Sequence, residues 1–139
     1  MPTLADAIML AVCAHRDQVD KVGQPYYLHV LRVMTKVRTE PERIVAVLHD
    51  LIEDTPYTVD DLRPMGYLEE VLTALDCMTR REGETYEEFI ERIKPNSIAR
   101  SVKLADLEDN MDLTRLSELR DEDLNRYQRY VKAWHVLRA

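Results

Sequence analysis

The chain has 139 residues, of which 45% are hydrophobic and 32% are charged, a composition typical of a folded globular protein. This length suits one domain, and we expect residues 1–139 to form it. The net charge of −7 argues against a nucleic-acid partner, which needs a basic surface, and only three glycines argue against a turn-rich β-sandwich. An anionic small ligand is compatible with this charge only where local cations or a metal hold it.

Apolar residues recur every three or four positions along most of the chain, which is the spacing of amphipathic helices. A first helix of about 15 residues is predicted from Leu4, with Thr3 as its N-cap, and it should break near residues 21–25. A second helix should run from about residue 26 to residue 38. The residues that it should turn inward are Leu28, Leu31, Met34 and Val37.

A third helix is predicted from Pro41 to about Asp54, because Pro56 disfavours helical geometry at the residue before it. A short helix capped by Thr58 should end before Gly66. Four more helices are predicted at about 71–75, 85–93, 97–111 and 122–137. No alternating stretch is long enough to indicate a strand, so the predicted fold is all-α.

No segment has the pattern of a membrane span or of an export signal. The longest apolar run, residues 7–14, is shorter than the roughly 20 residues that cross a bilayer. The first residues include Asp6 and no basic leader. Cys13 and Cys77 lack any paired spacing, which indicates reduced, buried thiols. We therefore expect a cytoplasmic protein with no membrane partner.

Three carboxylates crowd into one turn directly after His49, at the predicted end of the third helix. They belong to Asp50, Glu53 and Asp54. Like charges at this spacing destabilise a helix by about 0.2–0.5 kcal/mol per pair, and acidic groups at its C-terminus oppose the helix dipole. A bound divalent cation would reverse the sign of these effects. The alternative is a solvated acidic face.

A second polar cluster lies on the helix predicted at 97–111. Asp106 and Asn110 share one edge of its apolar stripe, four residues apart. Lys103, one turn before Asp106, can neutralise this carboxylate or reach an anionic ligand. The alternative is a simple salt bridge between neighbouring turns on a half-exposed helix.

His29 begins the second helix, where its ring can point into a cleft between helices. A histidine between Leu28 and Val30 is also compatible with simple packing in the core. Taken with the two clusters, it completes a set of two imidazoles and two carboxylates. That set suits Mn, Fe, Zn or Mg better than a structural thiolate site does.

Four runs of the sequence carry a specific pattern: KVGQPYYLH at 21–29, LHDLIEDT at 48–55, VKLAD at 102–106 and NM at 110–111. Together with the alanine and histidine at 14–15, they resemble the HD-domain phosphohydrolases. Among these they are most similar to the RelA/SpoT-type hydrolase domains and the small alarmone hydrolases. The resemblance extends from about residue 11 to residue 111. It implies a compact helical bundle with a metal site between its helices.

The resemblance also implies a role for each matching position. The positions that match the family's metal ligands are His29, His49, Asp50 and Asp106, with manganese the usual ion in the alarmone branch. The positions that match the catalytic acidic pair, which orients or deprotonates the attacking water, are Glu53 and Asp54. Lys21 and Asn110 match nucleotide contacts. His15 matches a family position, although a packing role fits its place on the apolar stripe of the first helix equally well.

The chain departs from the alarmone-hydrolase pattern at four positions. Asp20 and Leu107 stand where that branch has basic residues, and Asp109 stands where it has a histidine. Leu113 occupies the place of a hydroxyl residue, with Thr114 adjacent. Because a charge-assisted contact contributes roughly 1.5–3 kcal/mol, losing two positive groups weakens the case for a guanosine tetraphosphate.

We expect metal-assisted hydrolysis of a nucleotide phosphoester, with (p)ppGpp as the first substrate candidate and pyrophosphate as product. The metal would lower the pKa of its water to about 7, and Glu53 or Asp54 would accept or position the proton. Lys21 and Lys103 would screen charge on the phosphates. One alternative is an HD phosphohydrolase acting on a nucleoside mono- or triphosphate or a dinucleotide. The other is a non-catalytic helical module that binds a nucleotide or a protein.

Overall fold

The computed structural model describes residues 1–139, and all of its regular elements are helical. The nine α-helices are α1 Leu4–Ala14, α2 Tyr27–Thr35, α3 Glu40–Leu48, α4 Leu51–Asp54, α5 Val59–Leu62, α6 Glu69–Cys77, α7 Tyr86–Ile93, α8 Ser97–Asn110 and α9 Asp121–Arg138. Short 3-10 turns at Arg63–Met65 and Leu113–Arg115 follow α5 and α8. The all-α prediction is confirmed. None of the helices combines the length and the apolar character that crossing a bilayer requires.

Threonine capping boxes begin four of the helices. In each box the threonine hydroxyl accepts the N–H of the third helical residue, whose carboxylate accepts the threonine N–H in return. The capping residues are Thr3, Thr39, Thr58 and Thr85. Such a cap contributes about 1 kcal/mol, which explains why these helix starts are readable from the sequence.

The first helix is shorter than its apolar spacing predicts. It ends at Ala14, and Val19, which continues the spacing, is 65% exposed. The Asp20 carboxylate accepts the N–H groups of Val22 and Gln24, and Gly23 adopts a φ of 82°. This loop chemistry holds the segment after the helix in a tight turn.

The burial predicted for the two thiols is wrong for Cys13. This residue faces solvent, because α1 buries Ala7 and Ala11 and Cys13 lies two residues beyond Ala11, on the opposite side of the helix. Cys77 is half-buried, and both cysteines are free thiols.

The single helix predicted from residue 41 to residue 54 is two helices, α3 and α4, that meet at His49 and Asp50. The His49 Nδ1 donates a hydrogen bond of 2.6 Å to the carbonyl oxygen of Ala46. In a continuous helix that carbonyl would accept the N–H of Asp50, so the imidazole competes with the backbone at this point. The break therefore lies at the histidine and aspartate that were predicted as metal ligands.

Helix α3 is the centre of the bundle and packs against α1, α2, α6 and α8, while α9 covers α7 and α8. Helix α2 turns His29, Val30 and Val33 into the core. The residues predicted to face inward differ in burial: Val37 is buried, Leu31 and Met34 are half-buried and pack against the core, and Leu28 is half-buried. In α9, Leu137 is buried, and Tyr130 and Trp134 pack against the core. This arrangement brings α2, the end of α3 and α8 side by side.

Candidate metal centre

Three buried side chains from these three elements converge on one point. His29 of α2, His49 at the end of α3 and Asp106 of α8 offer ligand atoms that all lie within 4.8 Å of one another. The Asp106 Oδ1 is 2.9 Å from the His29 Nε2 and 3.3 Å from the His49 Nε2. Asp50 joins them, with its Oδ2 3.1 Å from the His49 Nε2 and 3.7 Å from the His29 Nε2. The structure thus brings together all four side chains predicted as ligands.

Both imidazoles present their Nε2 atoms to this cluster because their Nδ1 atoms are engaged elsewhere. The His29 Nδ1 donates to the Asp109 carboxylate at 2.7 Å, and the His49 Nδ1 donates to the Ala46 carbonyl at 2.6 Å. Since these oxygens only accept hydrogen bonds, the Nδ1 atoms carry the protons. An outer hydrogen bond of this kind is what orients a metal-binding histidine.

Asp109 is a functional residue that the sequence reasoning missed, since it was treated only as a departure from the family pattern. Its side chain is 2% exposed, and its carboxylate accepts the hydrogen bond from the His29 Nδ1, on the side of the ring that faces away from the cluster. The Arg32 Nε donates to the Asp109 Oδ1 at 2.8 Å, and Arg115 donates to the main-chain carbonyl of Asp109. The signal was its position: three residues after Asp106, Asp109 lies on the same face of α8.

The electrostatics of the cluster fit a divalent cation. Burial lowers the pKa of His29, but its hydrogen bonds to Asp106 and Asp109 outweigh burial and raise this pKa to about 9. Burial also opposes the charge on His49, yet Asp50 and Asp106 raise its pKa well above the usual range. Two protonated imidazoles thus supply the positive charge that a divalent cation would supply to the same carboxylates. His29, His49 and Asp106, with Asp50 beside them, can hold such an ion.

Lys103 forms a salt bridge with Asp106, which is the alternative that the sequence left open for this cluster. Its Nζ lies 2.8 Å from the Asp106 Oδ2, and both side chains are largely buried. Burial raises the pKa of Asp106, but the charges of Lys103 and His49 hold this pKa far below its usual range. Asn110 also donates to the Asp106 Oδ1, at 3.2 Å. Asp106 therefore stays ionised and ready to bind a cation.

The predicted acidic pair lies on α4, with both side chains exposed at the edge of the cluster. The Glu53 Oε1 accepts the main-chain N–H of Arg80 at 2.6 Å. Burial together with the charges of Asp50 and Glu53 raises the pKa of Asp54, which favours proton uptake by this carboxylate. Asp50 in addition accepts the hydroxyl of Tyr26.

His15 is buried but does not belong to the cluster. Its Nδ1 and the Gln18 Oε1 are 2.8 Å apart, and its ring packs 5.4 Å from the ring of Tyr26. Gln18 in turn donates to the main-chain carbonyl of Asp54. This geometry favours the packing interpretation of His15.

A first cavity, of about 290 Å³, borders the cluster at His29. Two predicted substrate contacts, Lys21 and Asn110, line it. Its other cations and its aromatic rings are contributed by Arg32, Arg115, Arg126, Tyr26, Tyr127 and Tyr130. The cavity therefore offers both positive charge and flat apolar surfaces.

The four residues that depart from the family pattern lie in different surroundings. Asp20 and Leu113 line the first cavity, although Asp20 already accepts two loop N–H groups. Leu107 is fully buried in the core, and Asp109 binds His29. The Thr114 hydroxyl donates to the Asp112 carboxylate.

A second cavity, of about 210 Å³, borders the cluster at His49 and Asp50. Glu53 and Lys103 line it, so the predicted residues divide between the two cavities. Asn110 and Tyr130 line both. Two further cations and two aromatic rings come from Arg80, Arg129, Tyr86 and Phe89.

The chain is similar in sequence to several known proteins. No protein-family model matches the chain. It is 29% identical over 140 residues to the bifunctional (p)ppGpp synthase/hydrolase SpoT of Escherichia coli K12, an alignment that covers 91% of this chain and 20% of that protein. It is 31% identical over 117 residues to the guanosine-3′,5′-bis(diphosphate) 3′-pyrophosphohydrolase of Haemophilus influenzae, covering 74% and 17%. It is 34% identical over 113 residues to the GTP pyrophosphokinase of Streptomyces antibioticus, covering 73% and 13%.

Among solved structures, a metazoan ortholog of SpoT that hydrolyses ppGpp superposes with a TM-score of 0.77 at 25% identity. That match covers 96% of this chain and 85% of the other. The chain spans only 13–20% of the length of the curated relatives named above. The sequence similarity and the shared fold nevertheless agree on one relationship. The chain is related to SpoT, and its sequence and fold are consistent with an HD-domain phosphohydrolase.

Proposed function

We propose that the chain is a manganese-dependent (p)ppGpp 3′-pyrophosphohydrolase whose 139 residues form a single HD-type domain. The observation that carries the proposal is the meeting of His29, His49, Asp50 and Asp106 beside the exposed carboxylates of α4. The named activity of the relatives in Haemophilus influenzae and Escherichia coli supports the choice of substrate. Mixed imidazole and carboxylate ligands suit manganese, and the two carboxylates balance its charge.

In this mechanism the four ligands would hold a divalent cation, which would supply positive charge against the reacting phosphate and lower the pKa of water. Glu53 or Asp54 accepts the proton of the attacking water, and the raised pKa of Asp54 suits that role. The hydroxyl adds to the phosphorus on the ribose 3′ oxygen. The bond between that oxygen and the phosphorus breaks, the ribose oxygen takes a proton, and inorganic pyrophosphate is released.

The first cavity is the proposed nucleoside site. Lys21 and Asn110 contact the nucleotide there, and the rings of Tyr127 and Tyr130 offer stacking surfaces for a base. Arg126 also lines this cavity, but its guanidinium is paired with the carboxylate of Asp123, which lines the cavity too. Lys21 forms no salt bridge and is the cation that remains for the nucleotide there.

A substrate panel tests the proposal. With manganese, the chain should convert guanosine 3′,5′-bis(diphosphate) into GDP and one equivalent of inorganic pyrophosphate, and chelator-treated protein should release none. The controls are GTP, GMP and a dinucleotide under the same conditions, measured by phosphate and pyrophosphate assays. Turnover of one of these controls without release from the alarmone would favour the second candidate, a hydrolase of another nucleotide, to which Asp20 and Leu107 point.

Cation binding should release protons. The raised pKa values of His29 and His49 mean that each imidazole carries a second proton, on Nε2, at pH 7 when no cation is bound. We expect titration with Mn²⁺ at pH 7 to release about two protons per ion and to raise the melting temperature. Calorimetry in two buffers of different ionisation enthalpy measures the release. Binding without proton release, or proton release that persists in the double variant His29→Ala/His49→Ala, would contradict this site.

A further inference from the structure

Two cations of the second cavity, Arg80 and Arg129, have no role in the proposed hydrolysis. The Arg129 Cζ lies 5.4 Å from the centre of the Tyr86 ring, and the Arg80 Cζ lies 5.7 Å from the same centre. The Lys103 Nζ lies 6.0 Å from it. Lys103 has Asp106 as its carboxylate partner, whereas the guanidinium groups of Arg80 and Arg129 form no salt bridge in the chain.

Asp50 and Glu53 also line this cavity, but they contact the His49 imidazole and the Arg80 main-chain N–H. The guanidinium groups of Arg80 and Arg129 therefore have no carboxylate partner, and the hydrogen bonding of the cavity is incomplete as well. Like charges gathered around one ring repel each other, and an anion placed among them would turn repulsion into attraction. The hydroxyl of Tyr86, which lines the same cavity, is buried and has no hydrogen-bond partner. A buried polar group left unpaired costs roughly 1–3 kcal/mol. Both features call for a ligand that carries negative charge and accepts hydrogen bonds.

The size and walls of the cavity favour a small anion over a nucleoside. Its volume of about 210 Å³ is smaller than the about 290 Å³ of the first cavity. Arg80 lies over the rings of both Tyr86 and Phe89, and Lys103 does the same. Cations therefore cover the aromatic faces on which a base would stack.

The loop that carries Arg80 is fixed in place. The Arg80 N–H donates to Glu53, while the Arg92 guanidinium binds the Thr79 carbonyl at 2.8 Å and the Glu84 carboxylate at 2.8 Å. The main chain that carries the Arg80 side chain is therefore held in one position before an anion binds, which lowers the entropic cost of binding. Through the bond from Arg80 to Glu53, the same loop connects this cavity to the proposed proton acceptors on α4.

We propose that the second cavity is a binding site for inorganic pyrophosphate, with Arg80 and Arg129 as its charged contacts and the Tyr86 hydroxyl as a donor. The cluster then lies between a nucleoside site in the first cavity and a pyrophosphate site in the second. Identifying the anion as the product rests on the proposed function. The binding itself rests only on the cations, the unpaired hydroxyl and the cavity.

The test is calorimetric titration of inorganic pyrophosphate into the full chain after removal of metal, so that activity plays no part. Arg129→Gln and Arg80→Gln should each weaken binding about tenfold or more. Arg129→Lys keeps the charge but cannot form bidentate hydrogen bonds. Its affinity for pyrophosphate should therefore lie between that of Arg129→Gln and that of the natural sequence. The matched control is Arg138→Gln, because Arg138 lies over the Trp134 ring, outside both cavities, and should leave the affinity unchanged.

With manganese, inhibition of the hydrolysis by added pyrophosphate should weaken in the same two variants. Equal pyrophosphate affinity in the natural chain and in both glutamine variants, each folded by circular dichroism, would overturn the site even if the chain hydrolyses (p)ppGpp. Arginine-dependent binding in a chain that does not hydrolyse (p)ppGpp would keep the anion site and reject only the proposed activity. The two failures are therefore distinguishable.

Discussion

Replacing Asp50 with asparagine should lower the rate of pyrophosphate release about a thousandfold or more and leave the fold intact. Charge stabilisation by a catalytic cation contributes several kcal/mol, and each 1.4 kcal/mol changes the rate tenfold. Asparagine keeps an oxygen that can accept the Tyr26 hydroxyl, so the packing around position 50 should survive. Both Asp50 and Asp106 contact the protonated His49. The Asp50 side chain is 20% exposed and the Asp106 side chain 7%, so water can compensate for the loss of the Asp50 charge better than for the loss of the Asp106 charge.

Two comparisons separate ligand loss from general damage. Asp17→Asn removes an exposed carboxylate without a salt bridge and should change neither rate nor manganese affinity. Glu53→Gln should lower the rate by about a hundredfold or more but keep manganese binding, since Glu53 is a proposed proton acceptor and not a ligand. Pyrophosphate release measures the rate, and manganese titrations followed by melting temperature measure the affinity for manganese. Undiminished manganese stabilisation in Asp50→Asn would remove Asp50 from the ligand set.

The bundle was largely predictable because its helices begin and end with local signals. Thr58 and Thr85 cap helices where the sequence places them, and Pro56 follows the end of α4. The break at His49 was not visible, because the apolar spacing continues through it. The bond from the imidazole to Ala46 depends on a ring orientation that Asp106, 57 residues away, helps to fix.

The candidate ligands were predictable for a different reason. Asp50 and its neighbours violate local rules of helix electrostatics, and the family resemblance assigns the same positions. The contact between His29 and Asp109 joins residues 80 apart in the chain, so no local pattern indicates it. The second cavity likewise combines a loop residue, Arg80, with Arg129 of α9. Such pairings follow from how the helices pack and not from their individual sequences.

Replacing Asp109 with asparagine should weaken manganese binding by about 10- to 100-fold, the usual effect of losing an outer partner of a metal-binding histidine. The asparagine oxygen can still accept the His29 Nδ1–H, but the negative charge is lost and an amide donor faces Arg32. The matched control is Glu108→Gln. This neighbour is exposed, and glutamine can still accept the bond from the Trp134 indole.

A second readout of Asp109 is the pKa of His29 in the protein without metal, which asparagine should lower from about 9. In the unfolded chain this pKa is about 6.5, so His29 binds its proton more tightly in the folded state. The charge therefore stabilises the fold fully below pH 6.5, and this stability is lost as pH rises through 9. In Asp109→Asn the loss should be smaller and should occur at lower pH. Histidine proton resonances and denaturation midpoints at pH 6 and pH 9 measure both quantities, and an unchanged His29 titration in the variant would show that Asp109 does not hold the imidazole.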